Sequence, residues 1–237
     1  HCYHANGLQN GQRYCSAVAK CCQPDLFGRC SPSCILLMIT QLKNPRTQNY
    51  LRLKKVVLSD SIPWTYVATT CEDVSTNPTV WGIDNSSFFG SALLLRSNHE
   101  RPYPLQVANQ ELLNLTSKVV IDIVRFNKLK FNCILRANFN LTIPHDEKDS
   151  WSPKHIDHPY PHQNLLIYFK TCNDGGKFRV WENQYEYGNT EEPKWGNCET
   201  FKPSEDSVIT FNGLNYHQGQ SPTSLGQTRV ALVVTYM

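Results

Sequence analysis

The chain has 237 residues, 40% of them apolar and 18% charged, with a net charge of +3. That length can bury a core of useful size in one large domain, or in one domain with a small appendage, and the composition excludes an intrinsically disordered chain. Charges of both signs are scattered, with no basic run to grip nucleic acid or a membrane surface, and no apolar stretch reaches the roughly 18 residues of a membrane-spanning helix.

Residues 1–48 read as an irregular, Cys-rich leader with no role assigned. Six of the ten cysteines fall there, at Cys2, Cys15, Cys21, Cys22, Cys30 and Cys34, and the others, Cys71, Cys133, Cys172 and Cys198, are widely spaced. The early cluster holds no Cys-x2-Cys pair, so disulfides, free thiols and a zinc site with His1 and His4 all stay open. The chain starts at His1 rather than Met, as a processed or trimmed chain does. An N-terminal His can also chelate copper through its amine and ring. Sequons at Asn85, Asn114 and Asn140 lean, with the cysteines, towards a secreted or virion-surface setting.

A folded-domain pattern begins with LRLKKVVLSDSIPW (51–64), and the domain is expected to span 49–237. Residues 65–107 mix short apolar runs with Pro, Asn and Ser and read as loops and short elements. Residues 109–126 read as a helix capped by Asn109, with Leu112, Leu115, Val119, Ile123 and Phe126 on its apolar stripe. The β-branched run within it, VVIDIV, suits a strand as well. From 131 to 141 the period changes to two. Phe131, Cys133, Leu135, Ala137, Phe139 and Leu141 share one face, and Asn132, Arg136, Asn138 and Asn140 the other. Further strands are expected at 164–170, 177–182, 207–212 and 228–236, with turns at NDGG (173–176) and NG (212–213). A helix-bearing first half followed by a run of strands predicts an α+β domain whose second half is a sandwich or barrel.

The richest chemistry lies in KHIDHPYPHQNLLIYF (154–169). In an extended chain His155 and Asp157 project to the same side. His217, after the late turn, supplies a third ligand. Two imidazoles and one carboxylate form the facial triad of non-haem Fe(II) enzymes, which leaves positions open for a co-substrate and dioxygen, whereas a structural zinc site closes its shell. Arg229 opens an otherwise apolar strand, TRVALVVTY, and its planar fork suits a carboxylate. Tyr168 could add a hydroxyl donor to that carboxylate.

These residues, with RANFNL, DGGKF and IPWTYV elsewhere in the chain, resemble the 2-oxoglutarate/Fe(II)-dependent dioxygenases, and within them the prolyl-4-hydroxylase-like branch with its short viral and bacterial members. The resemblance spans about residues 50–237 and leaves the Cys-rich leader uncovered. It implies a double-stranded β-helix, or jelly roll, over about 131–237, with helices of the N-terminal half packed on one side. It further implies Fe(II) on His155, Asp157 and His217, 2-oxoglutarate held by Arg229 with help from Tyr168 and Asn138, and use of O2, with ascorbate as a possible aid. The implied reaction hydroxylates prolyl residues of a peptide or protein and releases succinate and CO2. The look of the short members leans towards the cytosol, against the cysteines and sequons, so the compartment stays open, as does the oligomeric state.

Plainer readings stand beside these. Arg229 could pair with Asp206 or Glu205, and Tyr168 could be a cross-strand packing residue. Arg136 is expected to meet solvent on its polar strand face. His158 and His162 read as surface groups or as partners that orient the ligand imidazoles. Trp151 and Tyr160 flank the metal motif and could line a substrate groove. The competing function is a non-catalytic jelly-roll domain that binds sugar or protein, and a third reading keeps the metal but changes the reaction.

Overall fold

A computed structural model describes residues 37–69, 79–82, 86–96, 104–108, 110–145 and 150–237. The six clustered cysteines, Cys71, Asn85 and the predicted Asn109 cap lie outside these residues. The elements, in chain order, are β1 (Thr40–Leu42), α1 (Gln48–Val57), β2 (Thr65–Val67), β3 (Val80–Trp81), β4 (Phe88–Leu95), β5 (Leu105–Gln106) and α2 (Gln110–Phe126). They continue as β6 (Ile134–Thr142), β7 (Lys154–His155), β8 (Gln163–Lys170), β9 (Phe178–Gln184), β10 (Cys198–Phe201), β11 (Val208–Asn212), β12 (Asn215–Gly219) and β13 (Arg229–Tyr236).

Apart from β9 and β10, which pair with each other in one sheet, the last eight strands alternate between two antiparallel sheets. The larger sheet runs β1-β11-β8-β13-β6-β4-β2 with β5 on β4, and the smaller runs β10-β9-β12-β7-β3. Within the larger sheet β11-β8-β13-β6 form one wall, and β10-β9-β12-β7 form the facing wall. This is the double-stranded β-helix expected over 131–237.

Period-two alternation builds the two cores. On β8, Leu165, Ile167 and Phe169 face the helices; on β13, Leu232 and Val234 do the same, packed with Tyr50, Leu53, Val57, Val119, Val120, Ile123 and Val124. The alternate residues Leu166, Tyr168 and Ala231 turn between the sheets and meet Phe178, Val180, Ile209 and Phe211. Each large apolar side chain taken fully from water contributes roughly 1.5–3 kcal/mol, so the helices are held by this shared face rather than by propensity.

The helix predicted at 109–126 forms despite its β-branched run, but its stripe is rotated. Thr116, Val119, Val120, Ile123 and Val124 are buried, whereas Phe126 is 55% exposed. The VVIDIV stretch therefore packs as a helix face, and its burial overrides the strand preference of single residues. Thr47 caps α1, its hydroxyl accepting from the Tyr50 N–H. The same hydroxyl donates to Asp122 of α2 at 2.8 Å, tying the helices together.

Two expectations are corrected in the first half. Residues 88–95, read among loops and short elements, form the eight-residue strand β4, which pairs with β6 from Phe89↔Leu141 to Leu94↔Ala137. Its small residues Gly90, Ser91 and Ala92 hide the alternation but fit a strand laid against a neighbour. Residues 40–42, inside the stretch read as a leader, form β1, which registers Thr40↔Thr210 and Leu42↔Val208 against β11. No helix among the described residues is long and apolar enough to cross a membrane.

Candidate metal centre

The smaller sheet brings the three predicted ligands together. His155 ends β7, His217 sits within β12, and the two are direct antiparallel partners. Their rings stand 4.5 Å apart, centroid to centroid. Asp157 lies two residues beyond, past the end of the strand. One ligand atom from each of His155, Asp157 and His217 lies within 4.8 Å of the others. Strand pairing alone joins two imidazoles that stand 62 positions apart in the sequence, so their meeting is a property of the fold and not of local sequence.

Each imidazole is oriented by a backbone carbonyl. His155 Nδ1 lies 2.8 Å from the Pro153 oxygen, and His217 Nδ1 lies 3.1 Å from the Asn215 oxygen. A carbonyl only accepts, so Nδ1 carries the proton in both rings and Nε2 keeps its lone pair. Burial, and then the neighbouring His155, hold His217 below the ordinary imidazole range, which favours the neutral form that ligates metals.

Asp157 is a buried carboxylate with two unlike oxygens. Oδ1 accepts from Arg136 Nη1 at 2.5 Å. Oδ2 is buried with no hydrogen bond and stands 3.4 Å from His217 Nε2. Burial opposes ionisation, but the Arg136 guanidinium and the two imidazoles outweigh it and hold the carboxyl well below the usual carboxylate range. An ionised, unpartnered carboxylate oxygen beside two imidazoles whose Nδ1 atoms are engaged by carbonyls is a donor set that fits a divalent first-row metal such as Fe(II).

The triad opens into a cavity of about 140 Å³ between the sheets, lined also by Arg136, Asn140, Thr142, Tyr168, Gly219 and Arg229. Arg229 donates through Nη2 to Thr142 Oγ1 at 3.2 Å and through Nη1 to the Gly176 carbonyl at 3.2 Å. It has no carboxylate partner among the described residues. The expected alternative is overturned: Asp206 pairs with Arg46 at 2.7 Å and with Lys54 at 2.6 Å, and Glu205 pairs with Lys54. Tyr168 projects from β8 into the same space, on the strand next to β13. Its hydroxyl is buried without a hydrogen-bond partner, and burial pushes its pKa up, so it stays a neutral donor. A guanidinium without an acid and an orphaned phenol in one cavity suit a small carboxylate ligand. Gly219 leaves room for this arrangement, since a Cβ there would lie 3.2 Å from Arg229 Nη2.

Other expected site residues lie elsewhere. Asn138 is 8% exposed and does not line the cavity. Its amide donates to Asn140, two residues along the same face, and Asn140 reaches the cavity in its place. Trp151 and Tyr160 do not line the cavity either. The Arg179 guanidinium lies 3.9 Å from the Trp151 ring centroid, and Tyr160 stacks on His158 with its hydroxyl 3.1 Å from His158 Nδ1. His158 and His162 are only 2% and 4% exposed, so they are not surface groups. His158 Nε2 bonds Thr235 at 2.8 Å and His162 Nδ1 bonds the Tyr160 carbonyl at 2.7 Å. Burial lowers the His158 pKa to about 3. The ligand imidazoles take their orientation from Pro153 and Asn215 instead.

Arg136, expected in solvent, is the ion-pair partner of the central carboxylate, and Arg96 donates to the Asp157 backbone carbonyl at 2.8 Å. Thr142 and Gly219 were also missed. The polar positions of β6 carried a usable hint. Period two puts Arg136, Asn140 and Thr142 on one inward face, and an inward polar face in a barrel lines a cavity rather than bulk water.

No protein-family model and no curated protein sequence matches the chain. Solved structures do resemble it. An oxidoreductase of the 2OG-Fe(II) oxygenase family from Burkholderia pseudomallei has a TM-score of 0.58 at 15% identity, over 85% of this chain and 86% of that one. SnoN, a non-heme alpha-ketoglutarate-dependent epimerase of nogalamycin biosynthesis, has a TM-score of 0.52 at 9% identity, over 84% and 78%. The chain thus has the double-stranded β-helix fold found in the 2-oxoglutarate/Fe(II) oxygenases, with a His-Asp-His group set between its sheets.

Proposed function

We propose that this chain is an Fe(II)- and 2-oxoglutarate-dependent dioxygenase that hydroxylates a substrate, with prolyl residues of a peptide or protein as the leading substrate class. One observation carries the reading: the bare carboxylate oxygen of Asp157 and the imidazoles of His155 and His217 share a cavity with Arg229, which has no acid partner among the described residues, and with the unpartnered Tyr168 hydroxyl. A metal site alone explains the first group. A dicarboxylate co-substrate explains both. The prolyl class is supported by the likeness of the sequence motifs to the prolyl-4-hydroxylase-like branch.

In this reading His155, Asp157 and His217 hold the iron, and their carbonyl and guanidinium partners fix the direction of each ligand atom. Arg229 and Tyr168 take the far carboxylate of 2-oxoglutarate through charge-assisted and neutral hydrogen bonds. When bound, Fe(II) with 2-oxoglutarate and O2 would supply the oxidising chemistry, and ascorbate could serve as an added reductant. Leu166, Phe178, Ala231 and Val233 give the otherwise polar cavity one apolar side.

The test has two arms. Mn(II) with N-oxalylglycine, a 2-oxoglutarate mimic, should stabilise the protein, by about 2.7 kcal/mol at 100 times the Kd. Fe(II), 2-oxoglutarate and ascorbate in air should yield succinate. A non-catalytic jelly-roll domain gives neither result. The α-ketoglutarate-dependent epimerase of similar fold supports a second reading, oxidation without net hydroxylation. The mass of the product separates the two: a hydroxylated product is heavier by one oxygen, and an epimer is unchanged.

A further inference from the structure

The cavity contains a second arginine whose task differs from that of Arg229. Arg136 projects inward from β6, opposite Thr235 of β13, and its guanidinium meets the buried carboxylate of Asp157. The Arg136 side chain is 24% exposed and that of Asp157 5%. A surface pair of this kind would mean little. Here the acid is buried, and the contact divides it into an occupied oxygen, Oδ1, and a bare one, Oδ2. The bare oxygen faces His217 Nε2, the atom that its ring leaves free for a metal. Arg96 grips the same residue through its backbone carbonyl, so both the main chain and the side chain of Asp157 are held by guanidinium groups.

We infer that Arg136 is the positioning residue of the metal centre: it reserves Oδ1 of Asp157, so that the carboxylate offers the metal Oδ2 alone and the remaining positions stay open for the co-substrate. The inference rests on the proposed metal-dependent reading. A carboxylate with two free oxygens can bind a divalent ion through both, which uses a further coordination position. Partners in the outer shell of a metal site hold its ligands in place, and their loss commonly weakens metal affinity about 10- to 100-fold. The side chain is long enough to act from a neighbouring sheet. Asp157 follows β7 of the smaller wall and Arg136 lies on β6 of the larger, so the ion pair links the two walls beside the triad. Arg229 sits at the other end of β6, opposite Thr142, which separates the two arginines by six residues of strand.

Mn(II) affinity, followed by electron paramagnetic resonance on the full chain, tests this without any turnover. The variants are Arg136→Met, which removes the donor, and Arg136→Lys and Arg136→Gln, which each keep one donor for Oδ1. The expected result is that Arg136→Met weakens Mn(II) binding about 10-fold or more, that Lys and Gln restore part of it, and that N-oxalylglycine affinity at saturating Mn(II) changes less than twofold. Circular dichroism checks folding, and if the Met variant does not fold, the Lys and Gln variants decide by weaker binding than wild type. Wild-type affinity in every folded variant overturns the role of Arg136 alone. An equal loss in all three, with no partial rescue, marks a merely structural residue and also overturns it. Wild-type protein that binds no Mn(II) overturns the metal reading itself.

Discussion

Asp157 Oδ2 and His217 Nε2 stand 3.4 Å apart, both buried, and the carboxylate oxygen has no hydrogen bond. Removing either group should therefore abolish metal binding. In Asp157→Ala and His217→Ala the stabilisation by Mn(II) and N-oxalylglycine is expected to vanish, as measured by thermal denaturation at fixed ligand concentration. A full thermal shift retained in either variant would place the metal elsewhere.

Arg229 and Tyr168 should separate cleanly from the metal ligands. Arg229→Ala is expected to weaken N-oxalylglycine about 10- to 100-fold, the size of a lost charged hydrogen bond of about 1.5–3 kcal/mol, with Mn(II) affinity intact. Tyr168→Phe should weaken it only a few-fold. Because the phenol is buried and unpartnered, the Phe variant should match or exceed wild type in stability without ligand. Calorimetric titration with urea denaturation reads both numbers, and a destabilised Tyr168→Phe protein would mean that the hydroxyl already has a partner.

Leu232 is fully buried between β13 and the helices. Leu232→Ala should cost about 2–5 kcal/mol by removing contacts and leaving a cavity. Urea unfolding measures it directly. Val233, on the opposite face of the same strand and lining the cavity, should tolerate replacement by Ala better in stability than in ligand affinity.

The acid limb of stability should depend on Asp206. Burial opposes its ionisation, but hydrogen bonds from Lys54 and Tyr50 and the charges of Lys54 and Arg46 outweigh this and hold its carboxyl below the ordinary value. A depressed carboxylate stabilises the fold fully above the unfolded-state pKa of about 3.9, and that contribution is lost as pH falls through the lower folded value. Urea stability between neutral pH and pH 3 should fall less steeply in Asp206→Asn than in wild type. Parallel acid limbs would show that the cluster of Tyr50, Lys54 and Arg46 does not depend on the charge.

Much of the strand half was readable because its alternation is strong. The strand predicted at 164–170 forms at Gln163–Lys170, and that at 228–236 at Arg229–Tyr236. β4 was not readable, since Gly90, Ser91 and Ala92 carry little hydropathy contrast. The triad was legible for a different reason. His155 and Asp157 share a short stretch, His217 follows a late turn, and Arg229 opens an otherwise apolar strand. Arg136 was misjudged because an inward polar face and a solvent-facing one have the same period in sequence. Trp151 and Tyr160 were misplaced because nearness along the chain says little about which side of a two-residue strand a neighbour occupies.

The amino-acid order by itself determined the local preferences: where the chain alternates with period two, where α2 winds, and which side chains carry metal and carboxylate chemistry. Only the tertiary structure decided which of them meet. Pairing β7 with β12 joins His155 to His217, and facing β6 towards β7 gives Asp157 its Arg136. Periodicity records the direction of a side chain relative to its own strand, whereas a binding site depends on distances between strands remote in sequence, and those are set by how two sheets bury a common core.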